Sequence, residues 1–180
     1  LQQYEDGVLS SLVGPVSFSV QSLNNSTLPA ADKQAYLAFC EKVSRLRKAV
    51  SAADNIRNDL NTSHGFMQSA LLELPAPPQD LLKKTYDLSR RLNALNLQFN
   101  GDPTRSRREF ETAPAISGRV GLLEEGMWNT TSAPTQTFEE NYRIAAKQFG
   151  PALEALRLIA REMEALAQEL EQGGAPATPG

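Results

Sequence analysis

The chain has 180 residues, of which 41% are hydrophobic and 22% are charged, and its formal net charge is −3. This ordinary globular composition excludes wholesale disorder and favours one domain with at most a small appendage. Charges of both signs are interspersed, so no basic face for nucleic acid is predicted, and no apolar run approaches the roughly 20 residues of a membrane span.

The first 28 residues carry signals of β-structure. An Asp-Gly pair at 6–7 is typical of a hairpin turn, and a Gly-Pro pair at 14–15 is a second chain breaker. Apolar residues then alternate with serines over 16–20, which is the period of a strand. Segment 1–28 is therefore predicted to be a short β-hairpin, or the last strands of a β unit, followed by a linker. An isolated hairpin is marginal in water, so it must pack on the helices or lack its sheet partners.

A long helix is predicted from about 30–74. Its apolar residues follow steps of four and three, and the phase continues across Gly65 and across two polar positions, Arg57 and His64. A helix broken at Gly65 would have no reason to resume in register, so one helix of roughly 65 Å is expected. The prolines within 75–78 end it.

Two shorter helices are predicted next. One covers about 80–100, where an apolar stripe with the same steps ends at an Asn-Gly pair typical of a helix C-terminus. Residues 102–114 are predicted to be a polar loop, because they show little periodicity. A helix over about 115–128 follows, although its three glycines weaken the helical pattern.

The last helix is predicted over about 136–172. Thr137 and Glu140 fit the capping-box pattern at its start. Its apolar stripe stays in phase across Pro151, which removes one backbone hydrogen bond and should bend the helix. The Gly-, Ala- and Pro-rich end, 173–180, is predicted to be a disordered tail.

These lengths predict a mainly α fold, an elongated left-handed helical bundle over 29–172 with two long and two shorter helices. The two long helices would run parallel, and the two shorter ones would lie end to end and antiparallel to them, giving a rod about three helices thick. Heptad periodicity predicts shallow left-handed crossings. The alternative is a conventional four-helix up-down bundle with overhanging long helices.

Few side chains suggest chemistry. His64 and Cys40 are the only histidine and cysteine, and 24 residues along one helix place them about 36 Å apart, too far to act as a pair. A lone histidine on the core stripe is expected to make one or two hydrogen bonds rather than to bind metal. The adjacent carboxylates Glu124-Glu125 and Glu139-Glu140 do not face each other on a helix. We therefore predict no catalytic residue, no metal and no cofactor.

Four residues are candidate partner contacts. Trp128 is the only tryptophan and lies at a helix end, where its ring either plugs the bundle or anchors a partner. Arg105, Arg107 and Arg108 form a small basic group in the middle loop. They contact an acidic partner, pair with nearby acids or are solvated.

Two stretches of the chain are distinctive: residues 127–135 read Met-Trp-Asn-Thr-Thr-Ser-Ala-Pro-Thr, and 174–180 read Gly-Ala-Pro-Ala-Thr-Pro-Gly. Seven less distinctive stretches accompany them, in this order along the chain: Phe18 to Val20, Phe39 to Val43, Lys48 to Val50, Leu92 to Leu95, Asn100 to Asp102, Ser117 to Val120 and Tyr142 to Ala146. Over nearly its whole length the chain resembles the C-terminal helical segment of large bacterial exported proteins with BNR or sortilin-type β-propeller repeats, often labelled glycosyl hydrolases.

The resemblance implies that 1–23 end a preceding β domain and that the protein is exported, to the periplasm, the cell surface or the medium. It implies a non-catalytic module for packing, spacing or protein interaction, whose partner is its own propeller or another protein. The hydrolase label would belong to the propeller, because no catalytic motif of that family falls here. Two alternatives stay open: an accessory domain that lends a loop, 102–114 or 129–134, to a propeller active site, and a self-associating coiled coil. The oligomeric state is left open.

Overall fold

The computed structural model describes residues 2–11, 13–21 and 28–176. Within these ranges two strands precede five helices, so the predicted mainly helical fold with two long helices and a short N-terminal hairpin is confirmed. The elements are β1 (Gln2–Glu5), β2 (Val8–Ser11), α1 (Lys33–Leu72), α2 (Gln79–Asn100), α3 (Pro103–Ser106), α4 (Ile116–Trp128) and α5 (Gln136–Gln172).

The N-terminal hairpin pairs β1 with β2 in antiparallel fashion, with Tyr4 opposite Leu9. Asp6 and Gly7 form its two-residue turn with φ of 49° and 81°, as the Asp-Gly signal predicts. The alternating segment 16–20 forms no strand, because it finds no neighbouring strand to pair with in the described chain. All residues of both strands are exposed. The hairpin is therefore not packed against the described helices. Linker residues 22–27 lie outside the described part.

Helix α1 is a single helix of 40 residues, about 60 Å long at 1.5 Å per residue. It begins later than predicted because Asp32 is its N-cap and accepts hydrogen bonds from the backbone of Gln34 and Ala35, both at 2.9 Å. Gly65 lies within it without a break, as the unbroken phase of the stripe predicts. The stripe is buried, and it includes Val43, Val50, Ala53, Arg57, His64, Met67 and Leu71.

The start of α5 differs from the predicted capping box. Its N-cap is Thr135, whose side chain accepts from the Phe138 N–H at 3.3 Å. Thr137 lies inside the first turn, and the Glu140 carboxylate forms an ion pair with Arg143 instead of reaching back to the backbone. The capping-box prediction is therefore wrong by two residues, because the Thr135 hydroxyl, and not that of Thr137, caps the helix.

Helix α5 continues through Pro151 to Gln172. The residues after it close the helix: Gly174 has φ of 80°, and the Ala175 N–H donates to the Leu170 carbonyl at 3.0 Å. Ala175 is buried against the core. The first four residues of the predicted tail are thus a packed helix cap, and 177–180 lie outside the described part.

Helices α1 and α5 run parallel, and α2 runs antiparallel to both. The rings of Phe39 and Tyr142, near the starts of α1 and α5, lie 5.9 Å apart. Near the start of α2, Lys84 Nζ lies 2.6 Å from a carboxylate oxygen of Glu169, near the end of α5. The predicted parallel placement of the two long helices is confirmed.

Helices α2 and α4 cover different halves of α1. Arg57 in the middle of α1 bonds to Asn96 of α2, whereas Arg47, closer to its start, forms an ion pair with Glu124 of α4. The two shorter helices therefore lie end to end along the long pair. The rod is three helices thick, as the helix lengths predict.

One continuous apolar core runs along the three columns. Complete burial of a leucine- or phenylalanine-sized side chain contributes about 1.5–3 kcal/mol, so this seam is the main favourable term in folding. The buried residues include Val50, Met67, Leu71, Leu81, Leu88, Leu92, Leu95, Phe99, Ile116, Val120, Ala145, Phe149, Leu156, Ile159, Met163, Leu166 and Leu170.

A polar layer formed by Arg57, Asn61 and Asn96 interrupts the core between α1 and α2. Arg57 is only 5% exposed. Its guanidinium group donates to Asp54 at 3.0 Å and to Asn96, and lies 5.9 Å from the centre of the Phe99 ring. Asn61 and Asn96 exchange two hydrogen bonds of 3.0 and 3.2 Å. Each buried donor here has a partner on the facing helix or on its own helix.

His64 forms a second cross-helix polar contact, two turns further along α1. It is buried, and its Nε2 lies 2.9 Å from the Thr85 carbonyl of α2, which can only accept, so Nε2 donates. The Thr85 hydroxyl in turn donates to the Leu81 carbonyl at 2.8 Å. The prediction of a hydrogen-bonded core histidine is confirmed.

We predict that Asn96→Ala destabilises the protein by about 1–3 kcal/mol, because it leaves the buried donors of Arg57 and Asn61 without their cross-helix acceptor. Urea unfolding followed by circular dichroism measures the change. Asn93→Ala is the matched control, since Asn93 is an exposed asparagine on the same helix. Equal effects of the two substitutions would show that the polar layer adds nothing to stability.

Candidate functional site

Trp128, the last residue of α4, is 84% exposed. Of the two roles considered for its ring, plugging the end of the bundle is therefore excluded. The buried positions of α4 are Ile116, Val120 and Leu123, so the next step of four falls on residue 127. Trp128 lies one residue beyond that step, and a rotation of about 100° per residue turns its side chain away from the core.

A groove of about 480 Å³ between α1 and α4 lies beside this ring. Buried Val43 contributes to its floor, and the ion pair between Arg47 and Glu124 spans the two helices at its rim. We call this the Trp128 surface. It is lined by Cys40, Val43, Ser44, Arg47, Glu124, Met127 and Trp128.

The turn that follows Trp128 is tied to the start of α1. The Tyr36 hydroxyl donates to the Thr130 carbonyl at 2.9 Å. The Ala30 N–H donates to the Thr131 carbonyl at 2.8 Å. These bonds join positions about 100 residues apart in sequence, so the backbone that carries Trp128 is held in one place. The indole ring is exposed because of its fixed position, and not because the helix end is frayed.

The first test concerns the ring itself. Trp128 is the only tryptophan, so intrinsic fluorescence reports this surface alone. We expect the emission of a solvent-exposed indole, quenched by iodide nearly as well as a free tryptophan derivative, with little change in emission wavelength on unfolding in urea. A blue-shifted emission that moves to longer wavelength on unfolding would place the ring in the core instead.

Burial, followed by a hydrogen bond to Cys40, raises the pKa of Tyr36. Because the pKa is raised in the folded state, the neutral phenol contributes fully to the free energy of unfolding below its ordinary pKa of about 10. This contribution is lost as the pH rises through the pKa of the folded state. Tyr36→Phe removes the hydrogen bond to the Thr130 carbonyl and should cost about 0.5–1.5 kcal/mol at neutral pH.

The difference in unfolding free energy between wild type and Tyr36→Phe should shrink above pH 10 in urea titrations. Tyr86→Phe provides the control, because Tyr86 is exposed on α2. A free-energy difference between wild type and Tyr36→Phe that stays constant from pH 7 to 11 would contradict the role of the phenol as a donor to the Thr130 carbonyl.

The other reactive side chains do not converge. Cys40 and His64 lie on one continuous helix, about 36 Å apart along its axis. The Glu124 carboxylate is paired with Arg47, and Glu140 with Arg143. Across the described ranges, no group of three or more His, Cys, Asp or Glu side chains is placed to hold a metal ion.

The predicted polar loop 102–114 contains the one-turn helix α3. Asp102 caps it, accepting from the Thr104 backbone at 2.8 Å and from the Arg105 backbone at 3.4 Å, and Pro103 occupies the first turn. The Thr104 hydroxyl also donates to this carboxylate, and these bonds hold the pKa of Asp102 below its ordinary value. The Asp-Pro pair is the sequence signal that predicts such a start, but a helix of one turn is too short to show apolar periodicity.

The C-terminal end of α3 is closed as well. The Phe110 N–H donates to the Arg105 carbonyl at 3.2 Å and the Glu109 N–H donates to the Ser106 carbonyl at 3.1 Å. Glu109 has φ of 57°, a left-handed conformation that usually favours glycine at this position of a helix end. The segment is thus fixed at both ends.

Arg105, Arg107 and Arg108 project from this fixed segment, and all three are exposed. Within residues 28–176 none of their guanidinium groups lies within 4 Å of a carboxylate, whereas other arginines of the chain form ion pairs. Arg105 alone of the three also lines a neighbouring groove, and we call the three residues and this groove the arginine surface. The groove has a volume of about 630 Å³ and is lined by Leu97, Gln98, Gly101, Asp102, Arg105, Thr112, Ala113, Pro114, Ala115, Ile116, Gln148 and Pro151.

The four predicted contact residues do not form one site. Trp128 ends α4, whereas Arg105, Arg107 and Arg108 precede its first residue. The 13 residues of α4 span about 20 Å. The chain therefore presents two separate candidate surfaces at opposite ends of α4.

The chain matches no family model, no curated protein and no solved structure. The resemblance to the C-terminal segment of exported β-propeller proteins thus stays a prediction. Among the described residues, none of the helices combines the length and the apolarity needed to cross a bilayer.

Proposed function

We propose that this chain is a non-catalytic helical module that binds another protein through the Trp128 surface and holds that surface at a fixed place on a rigid rod. The proposal depends on one observation above all: a tryptophan that is 84% exposed at the end of a well-packed helix. Tryptophan is enriched among the few residues that dominate binding energy at protein interfaces.

The size of the ring supports this role. A tryptophan side chain buries about 150–250 Å² of surface when it is covered. At roughly 25 cal/mol per Å², covering the exposed part contributes on the order of 3–5 kcal/mol to association. The hydrogen bond from the Tyr36 hydroxyl to the Thr130 carbonyl fixes the backbone before binding, so less conformational entropy is lost when a partner binds.

The surroundings of the ring indicate what kind of partner fits. The groove beside it has an apolar floor that includes Val43, and a charged rim formed by Arg47 and Glu124. An apolar centre with a polar rim is the usual anatomy of a protein interface. The expected partner is therefore a folded protein with an apolar pocket that receives the indole.

The context of the module follows from the resemblance. We propose that the chain belongs to an exported β-propeller protein and that the propeller is the first candidate partner. The β-hairpin supports this, because apolar side chains such as Tyr4 and Leu9 share one of its faces and are exposed. A neighbouring β domain would cover that face and complete the sheet.

The partner can be found by photo-crosslinking in the producing organism. A photoreactive residue replaces Leu37, which is exposed on α1 one turn before Cys40. The matched control replaces Tyr86, which is exposed on α2. A protein captured at position 37 and not at 86 is then purified for binding assays.

Addition of that partner should shift the Trp128 emission to shorter wavelength and saturate. Trp128→Ala should weaken binding at least tenfold, which corresponds to about 1.4 kcal/mol or more, whereas Tyr86→Ala should leave affinity unchanged. Equal affinity of wild type and Trp128→Ala would refute the proposal. If the captured partner is a β-propeller, the result supports the proposed context as well as the proposed binding surface. If Trp128→Ala removes hydrolysis by the full-length protein without weakening binding, the accessory-domain alternative is favoured.

A further inference from the structure

We infer that the open face formed by α1 and α5 is a homodimer interface, on which a second copy of the chain packs in the antiparallel direction. The juxtaposition that carries this inference is a strip of exposed apolar side chains with basic residues along one half of the rod and acidic residues along the other. It goes beyond the proposed function, because it concerns a different face of the rod and a different partner.

The face lies on the side of the rod that α2 and α4 leave uncovered. On α1, Arg47 forms an ion pair with α4 and Asn61 forms a hydrogen bond with α2. On α5, Glu162 and Glu169 form ion pairs with α2. The opposite flanks of the two long helices therefore meet each other and leave one strip open to solvent along the rod. We call this strip the α1–α5 face.

The middle of the α1–α5 face is apolar. Ile56 and Phe66 of α1 are 48% and 45% exposed, although the helix that carries them is well packed. The residues around them are small or apolar instead of charged: Ala49, Ala52, Leu153, Ala160 and Ala167. Contact with a second apolar strip removes these side chains from water and stabilises association.

The charged residues of the face are separated by sign along the rod. Its lower half, nearer the starts of α1 and α5, carries four bases and one acid: Lys42, Arg45, Arg143, Arg157 and Glu139. Its upper half carries four acids and, within the described ranges, no base: Asp59, Glu73, Glu164 and Glu171. The adjacent outer row contains Glu41, Lys48, Glu140, Lys147, Glu154 and Arg161. Because this row alternates in sign, including it leaves the lower half positive and the upper half negative.

Two of the four bases have a partner on their own helix. Arg143 pairs with Glu140 and Arg157 with Glu154, and all four side chains are about half exposed or more. The other two bases form no ion pair within the described chain. Exposed pairs within one helix contribute little to stability, so all four bases can contact a carboxylate of a second copy.

The separation of charge decides the direction of the second copy. In a parallel dimer the two positive halves would meet each other, and so would the two negative halves, which is unfavourable. In an antiparallel dimer each positive half meets a negative half. A two-fold symmetric interface uses the same patch on both copies, so a face with opposite charges at its two ends is complementary to itself.

Residue spacing gives a register for this dimer. Lys42 and Glu73 are equally distant from position 57.5 of α1, and Arg157 and Glu164 from position 160.5 of α5. The two positions lie level on the rod, because they differ by 103, as do the numbers of the two contacting aromatic residues near the helix starts (142 − 39). A two-fold axis at this height lays α1 on α1 and α5 on α5. It places Lys42 opposite Glu73 of the second copy, and Arg157 opposite its Glu164.

The size of the face and one like-charge contact set the strength of the dimer. From Lys42 to Glu73 the face is about 47 Å long, and two helices 8–10 Å apart make it roughly 15 Å wide. The area of about 700 Å² per copy is close to the ~800 Å² per partner of a standard interface. Asp59 lies near the axis and meets its own copy about 4–5 Å away along the rod. This repulsion weakens the dimer, so we expect micromolar affinity.

Sedimentation equilibrium of the full chain at low ionic strength measures the association. The mass should rise with concentration from 19.7 kDa toward twice that value, with a dissociation constant on the order of 10–100 µM. Added salt should weaken the dimer, because it screens exposed charges. A mass that stays at one chain up to about 1 mM overturns the inference, and so does a mass that rises beyond two chains, since a two-fold dimer is closed.

Two matched substitutions locate the interface. Ile56→Glu places a charge in the apolar middle of the face and should weaken the dimer at least tenfold. Leu158→Glu should leave it unchanged, because Leu158 is 45% exposed on the flank of α5 that faces α2, one turn before Glu162. Circular dichroism and urea unfolding confirm that both variants are folded. Equal weakening by the two substitutions would place the contact elsewhere and refute the inference.

Charge exchange tests the direction. Lys42→Glu and Glu73→Lys should each weaken the dimer about tenfold, and the double variant should recover the wild-type affinity. The two residues lie about 47 Å apart in one molecule, so the recovery can only arise between antiparallel copies. In a parallel dimer each single reversal would tighten association instead, which would overturn the inferred direction.

Two further variants check the register and the independence of the face. Asp59→Asn should tighten the dimer about threefold by removing the like-charge contact at the axis, and a weaker dimer would overturn the register. Trp128→Ala should leave the dimer intact, because α4 lies on the other side of the rod. Loss of the dimer in this variant would show that the copies meet through the Trp128 surface and not through the α1–α5 face.

Discussion

The hydrogen bond that Arg57 donates to the facing Asn96 determines how the rest of the molecule is assembled. A seam of leucines that repeats every seven residues packs almost as well after a slip of one heptad, because one apolar layer resembles the next. A buried guanidinium group does not tolerate such a slip, since it would lose its acceptors in a medium without water. The polar layer and the His64 contact two turns away therefore fix α2 against α1 in one register. The position of every later element follows from that register.

Because α1 is unbroken, a register set in its middle is transmitted to both halves of the rod. Its second half holds α2 and its first half holds α4, and α5 then closes the third column along both. The ends of α4 thus come to lie where the two candidate surfaces are built. The Trp128 ring lies at one end and the capped α3 segment at the other. The same rigid core gives each surface a fixed position.

The long periodic elements could be predicted from the sequence because burial acts on every third or fourth residue, and many repeats average out single exceptions such as Gly65. Predicted bounds of 30–74 and 136–172 compare with Lys33–Leu72 and Gln136–Gln172. Features that depend on a single residue are harder to predict from the sequence. Asn96 reads as an ordinary surface asparagine until α1 is placed beside it, and Thr135 competes with Thr137 for one cap. The grooves lie between segments distant in sequence, such as Cys40 and Glu124, which no local pattern connects.

The turn after Trp128 has a mechanical consequence. It is bonded to the chain just before α1, through the Ala30 N–H to the Thr131 carbonyl and through the Ser132 hydroxyl to the Leu28 carbonyl at 2.6 Å. A force that pulls on the chain ahead of Leu28 reaches these two bonds before it reaches any turn of α1. Tension would therefore loosen the seat of the tryptophan while the rod stays folded, so this end of the bundle yields first under load and the core yields last.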